Sequence, residues 1–118
     1  MFKRIYKIGE HLRNPSIASW LPFLNESATW PLASLEAYQL KKLQELVAVA
    51  YANSSYYKNS FDALGIKPAD IQSLDNLKKL PIISKKDLLN NHKEIQTNLK
   101  FKKHFQANTS GTSGESLK

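Results

Sequence analysis

Phe101-Lys102-Lys103-His104-Phe105-Gln106-Ala107-Asn108-Thr109-Ser110-Gly111-Thr112-Ser113-Gly114-Glu115-Ser116-Leu117-Lys118 is the stretch on which the reading of this chain turns. Its first half alternates. Phe101, Lys103, Phe105, Ala107 and Thr109 share one side and Lys102, His104, Gln106 and Asn108 the other, the period of a β-strand with one face partly buried. Its second half has different chemistry. Gly111 and Gly114 let the backbone turn sharply and bring amide N–H groups toward an anion, while the hydroxyls of Thr109, Ser110, Thr112 and Ser113 can donate to phosphate oxygens. A strand running into such a loop suits a polyphosphate. The spacing is neither that of the Walker loop nor that of the dinucleotide-binding fingerprint. On composition alone, the same Ser, Thr and Gly residues also describe a flexible tail.

Upstream the pattern is helical. Leu40, Leu43, Val47 and Ala50 recur at intervals of three and four, with Leu46 and Tyr51 widening the stripe and Ser34 ahead of them as an N-cap. The spacing predicts a helix from Ser34 to about Ala52 with one buried face. A second helix from about Ser55 carries Tyr56, Tyr57, Phe61 and Leu64, and Gly65 stands at its C′ position, where a positive φ is needed. Short turns come next. Pro68 opens one, Ser73 caps another that holds Leu74 and Leu77, and Pro81 closes it. Ser84 followed by Asp87 forms a capping box for a helix to about Asn90. Asp70 and Asp75 sit where helix-start charges belong, not where an acid and base would pair.

Toward the N-terminus, Phe2, Ile5, Tyr6 and Leu12 recur near helical spacing opposite Lys3, Arg4 and Lys7, which predicts a short helix ending before Pro15. Pro15, Pro22 and Pro31 then predict an irregular stretch over residues 14–33, with Trp20, Phe23 and Trp30 lying over a core.

The 118 residues hold 17 Lys and Arg against 10 Asp and Glu, a net charge of +7 concentrated toward the two ends. Such a field draws polyanions without choosing among them. The absence of cysteine excludes disulfides, thiolate nucleophiles and cysteine-ligated metals. His11, His92 and His104 lack metal-ligand spacing, so no metal site is expected. No apolar run approaches the ~20 residues of a membrane span, and no signal peptide is read, which makes the cytoplasm the expected location.

The hydroxyl-rich string resembles the phosphate-binding loop of AMP-forming acyl ligases, the acyl-adenylate superfamily. Tyr56-Tyr57, Phe61, Leu64-Gly65-Ile66, Pro68-Ala69-Asp70-Ile71, Leu74, Leu77 and Leu80-Pro81-Ile82-Ile83-Ser84-Lys85-Lys86-Asp87-Leu88, ahead of it and in that order, resemble the N-terminal signature of phenylacetate-CoA ligase-like proteins. The capsular-polysaccharide branch called CapK-like is the nearest in appearance. The resemblance covers residues 51–118 well and the first fifty loosely.

What the resemblance implies is an N-terminal fragment of a ligase that activates a carboxylate with ATP to an acyl-adenylate and passes it to a thiol such as CoA. Thr109, Ser110, Gly111, Thr112, Ser113 and Gly114, with Lys118, would hold ATP phosphates, while no catalytic residue lies in this stretch. ATP with Mg2+, CoA and a carboxylic acid would serve the parent protein, and none is expected to bind tightly to the fragment. The fold expected is a mainly α fragment with one C-terminal β-strand or hairpin, cut from an α/β parent of the acyl-adenylate-forming fold. Its parts are residues 1–33 as N-terminal helix and Pro/Trp loop, 34–99 as a helical region and 100–118 as strand and phosphate loop. An unpaired strand predicts self-association. Nucleic acid and membrane are not the expected partners, although a small basic helical binding or interaction module, for nucleic acid, a membrane surface or a protein partner, is the alternative reading.

Overall fold

The computed structural model describes residues 15–101. The basic segment before Pro15, the strand expected from Phe101 and the hydroxyl-rich loop lie outside them, except Phe101 itself, which is 65% exposed in irregular backbone. Among the described residues the fold is mainly helical, with no strand. The chain divides into two compact units, Met1–Tyr38 and Gln39–Lys118, with the boundary inside one long helix.

In the first unit, residues 15–27 are not the irregular stretch that their prolines predict. They form helix α1 (Pro15–Ser27), which runs through Pro22. Two physical facts permit this. Pro15 opens the helix, where a missing N–H costs nothing. Pro22 leaves the Ala18 carbonyl without its usual donor, but both residues are exposed and water can take that place. The α1 aromatics meet one another rather than covering a core. Phe23 packs edge-on to Trp20 and Trp30 at 5.7 and 5.6 Å between ring centres, and tilted on Tyr38 at 5.2 Å.

Helix α2 (Leu32–Asn53) begins ahead of Ser34, which is therefore not its cap. The Pro31 carbonyl instead accepts the Ser34 and Leu35 N–H groups at 2.9 and 3.2 Å. The buried stripe is as spaced, with Val47 buried and Leu40, Leu43 and Tyr51 packed against the core. Leu46, on the flank of that stripe, is 67% exposed and does not widen it.

The core of the second unit is Val47, Phe61, Ile66 and Ile71, with Tyr57 and Leu80 also packed on it. Helix α3 (Ser55–Ala63) is capped by Ser54 and supplies Phe61. It ends in a Schellman arrangement. The Ile66 N–H reaches the Phe61 carbonyl at 2.9 Å, the Gly65 N–H reaches that of Asp62 at 3.1 Å, and Gly65 takes φ of 66°. That turn delivers Ile66 to the core.

Two 3₁₀ segments follow, Pro68–Asp70 and Leu74–Lys79. Between them Ile71 is wholly buried, and its carbonyl accepts from the Gln44 side chain at 2.8 Å. Helix α4 (Lys85–Asn90) carries the expected capping box. The Asp87 N–H donates to the Ser84 hydroxyl at 3.2 Å and the Ser84 N–H to the Asp87 carboxylate at 2.9 Å. Helix α5 (His92–Ile95) packs against α3 and α4 and was not foreshadowed by any periodicity. No described helix is long and apolar enough to cross a membrane.

Candidate functional site

Thr109, Ser110, Gly111, Thr112, Ser113, Gly114 and Lys118 lie outside the described residues. What the structure describes is the scaffold that leads to them, from α3 to Phe101. Nearly every conspicuous position of that signature has a folding task. Phe61, Ile66 and Ile71 are the core, and Leu80 packs on it. Gly65 takes the left-handed conformation that other residues avoid. Pro68 presets the first 3₁₀ turn, and the Asp70 carboxylate accepts the Lys67 N–H at 2.7 Å ahead of it. The Ser84–Asp87 pair starts α4. The signature thus encodes a scaffold.

Two contacts join the far end of that scaffold to its beginning. Ser54, 2% exposed, uses its hydroxyl twice, accepting from the Tyr57 N–H at 3.4 Å and donating to the Glu94 carbonyl at 2.8 Å. The Asn98 N–H donates to the Asn53 carbonyl at 2.9 Å. The chain therefore departs toward residue 101 from beside the junction of α2 and α3.

Sequence reading missed one charged cluster. The Asp62 carboxylate accepts from the Tyr51 hydroxyl at 2.7 Å and pairs with Lys58 at 3.2 Å and with Lys67. Lys67 also donates to the Tyr51 oxygen at 2.8 Å. Hydrogen bonds from Lys67 and then Tyr51 hold the Asp62 carboxyl well below the usual carboxylate range, and the bond to Asp62 raises the Lys67 ammonium above its ordinary value. A residue on α2, two on α3 and one past Gly65 meet there, a spacing with no sequence signature. Both side chains of the Asp62–Lys67 pair remain partly exposed, so water screens their attraction. Tied to each other, they serve the scaffold and offer no free acid, base or nucleophile.

A second feature is a shallow cleft of about 380 Å³ lined by Tyr56, Asn59, Ser60 and Ala63 of α3 with Asn91 and Glu94. The Ser60 hydroxyl already donates to the Tyr56 carbonyl and the Asn91 amide to the Asp87 carbonyl, so part of its polar lining is spent on the fold. Among the described residues no three His, Asp or Glu side chains converge to hold a metal.

No family model matches the chain. Two curated proteins do share sequence with it. The phenylacetate-coenzyme A ligase of Aromatoleum evansii is 43% identical over 58 residues, which is 49% of this chain and 13% of that protein. The phenylacetate-coenzyme A ligase of Escherichia coli (strain K12) is 35% identical over 69 residues, 58% of this chain and 16% of that protein. The stretches matched thus span under a fifth of either relative.

Proposed function

We propose that this chain is the N-terminal portion of an AMP-forming acid–thiol ligase of the phenylacetate-CoA ligase kind, and that residues 109–114 are its phosphate-holding loop. One observation carries the reading. A scaffold signature from Tyr56 to Leu88 is followed, in the same chain, by Thr109-Ser110-Gly111-Thr112-Ser113-Gly114, and stretches of the chain share 43% and 35% identity with two such ligases.

In the reaction, a carboxylate oxygen attacks the α-phosphorus of ATP, pyrophosphate leaves, and the acyl-adenylate passes its acyl group to the thiol of CoA with loss of AMP. The backbone N–H groups around Gly111 and Gly114 and the Thr112 and Ser113 hydroxyls would hold the β- and γ-phosphates, stabilising charge as pyrophosphate departs, with Mg2+ accompanying the nucleotide. Lys118 would add a positive charge near the same phosphates. Ser113 retains a hydroxyl where the superfamily loop has Thr or Ser. The acid-binding and thiol-binding groups would come from chain beyond these residues. Within this reading, the finer assignment is to the CapK-like branch, with a role in building cell-surface polysaccharide.

The test is pyrophosphate release by the gene product that contains this chain, supplied with ATP, CoA and phenylacetate or a related acid. Release is expected, and Thr112→Ala combined with Ser113→Ala should lower it by about a hundredfold or more. Undiminished release in that double variant would remove the loop from the mechanism.

A further inference from the structure

The shallow cleft beside α3 is defined by what its lining has left to offer. Tyr56, Asn59, Ser60 and Ala63 come from α3, Asn91 joins α4 to α5, and Glu94 lies on α5. Bonds within the fold take donors from this lining. The Ser60 hydroxyl gives its hydrogen to the Tyr56 carbonyl at 2.8 Å, and the Asn91 amide nitrogen donates to the Asp87 carbonyl at 3.0 Å. What both keep is an acceptor, the Ser60 oxygen and the Asn91 Oδ1. Glu94 adds a carboxylate to them. In the second unit the other described carboxylates are engaged, Glu45 with Lys42, Asp62 with Lys58 and Lys67, Asp70 with the Lys67 N–H, Asp75 with Lys78 and Asp87 with Ser84. Glu94 gives only its backbone carbonyl to the fold, accepting from Ser54, and its carboxylate is unpaired among the described residues.

We propose that this cleft receives the side chain of an arginine carried by a partner polypeptide. The lining is rich in acceptors and holds one unpaired negative charge beside an aromatic ring. A guanidinium complements all three, with five N–H donors, no acceptor and a planar cation that lies well on an aromatic face. A phosphate or carboxylate ligand would be repelled by Glu94 and would find the Ser60 hydrogen already taken. A lysine ammonium is a strongly hydrated point charge that gains less from a ring and spread acceptors. Ala63 and the ring of Tyr56, which meets Tyr57 edge-on at 5.8 Å between ring centres, supply apolar surface for the arginine methylenes.

Depth selects the polypeptide. At about 380 Å³ the cleft has room for the side chain, but it is too shallow to enclose a small molecule. It suits a group that enters tip first from a larger chain. The net charge of +7 opposes a cationic partner at long range, yet at ~0.15 M salt that repulsion is screened beyond about 8 Å and the contacts decide. The site does not depend on the ligase reading, since none of its residues is assigned to ATP chemistry.

The experiment titrates the isotope-labelled 118-residue chain with the blocked tripeptide acetyl-Gly-Arg-Gly-amide at ~0.15 M salt and reads backbone amide shifts by NMR. Matched tripeptides with lysine or uncharged citrulline, and agmatine as a free guanidinium, are titrated beside it. Shifts gathered on the six lining residues are expected with the arginine peptide, with binding at least about fivefold weaker for lysine and about tenfold or more for citrulline. Glu94→Gln should weaken the arginine peptide by about fivefold, the upper end for an exposed ion pair, while leaving the backbone bond to Ser54 in place. Absent shifts, shifts spread beyond the cleft, arginine and lysine peptides bound alike, or binding untouched by Glu94→Gln each overturn the proposal. Agmatine bound about tenfold tighter than the arginine peptide would assign the cleft to a small guanidino compound and overturn the polypeptide as occupant. The peptide series needs no variant, so it decides on its own should Glu94→Gln fail to fold.

Discussion

The two units of this chain spend their apolar residues differently. Beyond residue 39, Val47, Phe61, Ile66 and Ile71 are buried together, and polar contacts such as Gln44 to Ile71 and Ser54 to Glu94 tie the ends of that segment to its core. Before it, no described residue from 16 to 38 is fully buried, although Trp20, Phe23 and Trp30 are larger than anything in the other core except Phe61. A stretch rich in apolar residues is therefore not the same as a core. What distinguishes the second unit is that α3, the Gly65 turn and the 3₁₀ segments fold back over one face of α2. The first unit has ring-to-ring contacts and leaves Trp20, Leu21 and Leu24 about half in water.

The contrast can be broken by mutation. Phe61→Ala should cost ~3–5 kcal/mol and Ile71→Ala ~2–5 kcal/mol, because each leaves a cavity where the core cannot collapse. Urea denaturation of the chain reads both, and a loss below ~1 kcal/mol at Ile71 would show the core to be looser than described. Ser54→Ala should cost ~1–2 kcal/mol, since it removes a cap and leaves the Glu94 carbonyl without that donor. Gly65→Ala should cost ~1–2 kcal/mol for its left-handed backbone alone, as an added Cβ would meet nothing within 4 Å. Its loss should be matched by a Gly65→Ser variant and largely spared by Gly65→Asn.

The charged cluster sharpens the comparison through pH. Asp62 is held below its ordinary value, so its contribution is present above about pH 4 and fades as the pH falls through that lowered value. Lys67 is held above its ordinary value, so its contribution is present below about pH 10 and is lost as the pH rises through the raised one. Thermal melts from pH 3 to 7 should therefore show a shallower acid loss in Asp62→Asn than in the unaltered chain. Parallel slopes would mean the cluster is fully screened. At the small end, Leu21→Glu should change stability by no more than ~0.5 kcal/mol, since Leu21 is already half in water.

Local chemistry was readable in the sequence and distant geometry was not. Gly65 as a C′ residue, Pro68 at a first helical position and the Ser84–Asp87 box each depend on a few adjacent residues, and each stands where the pattern set it. The α2 stripe was legible through Leu40, Leu43 and Val47, but not its limit, because Leu46 is apolar and only tertiary packing decides whether a flank is covered. Helix α1 was missed for a specific reason. Pro15, Pro22 and Pro31 were each read as breakers, whereas the first position and an exposed interior position tolerate proline. The Tyr51–Asp62–Lys67 cluster and the Ser54–Glu94 bond had no local signal, since their partners come together only once the Gly65 turn and α5 are in place. Of the proposed phosphate loop, the glycines and hydroxyls of residues 109–114 were legible as chemistry, while the ATP proposed for them came from resemblance.

The most direct test of the central claim is pyrophosphate exchange. Radiolabelled pyrophosphate and ATP are incubated with the gene product that contains this chain and a panel of carboxylic acids, without CoA, and label entering ATP is counted. The account predicts acid-dependent exchange that falls by about a hundredfold or more when Thr112 and Ser113 are both replaced by alanine. Exchange that ignores that replacement, or no exchange with any acid, would contradict it.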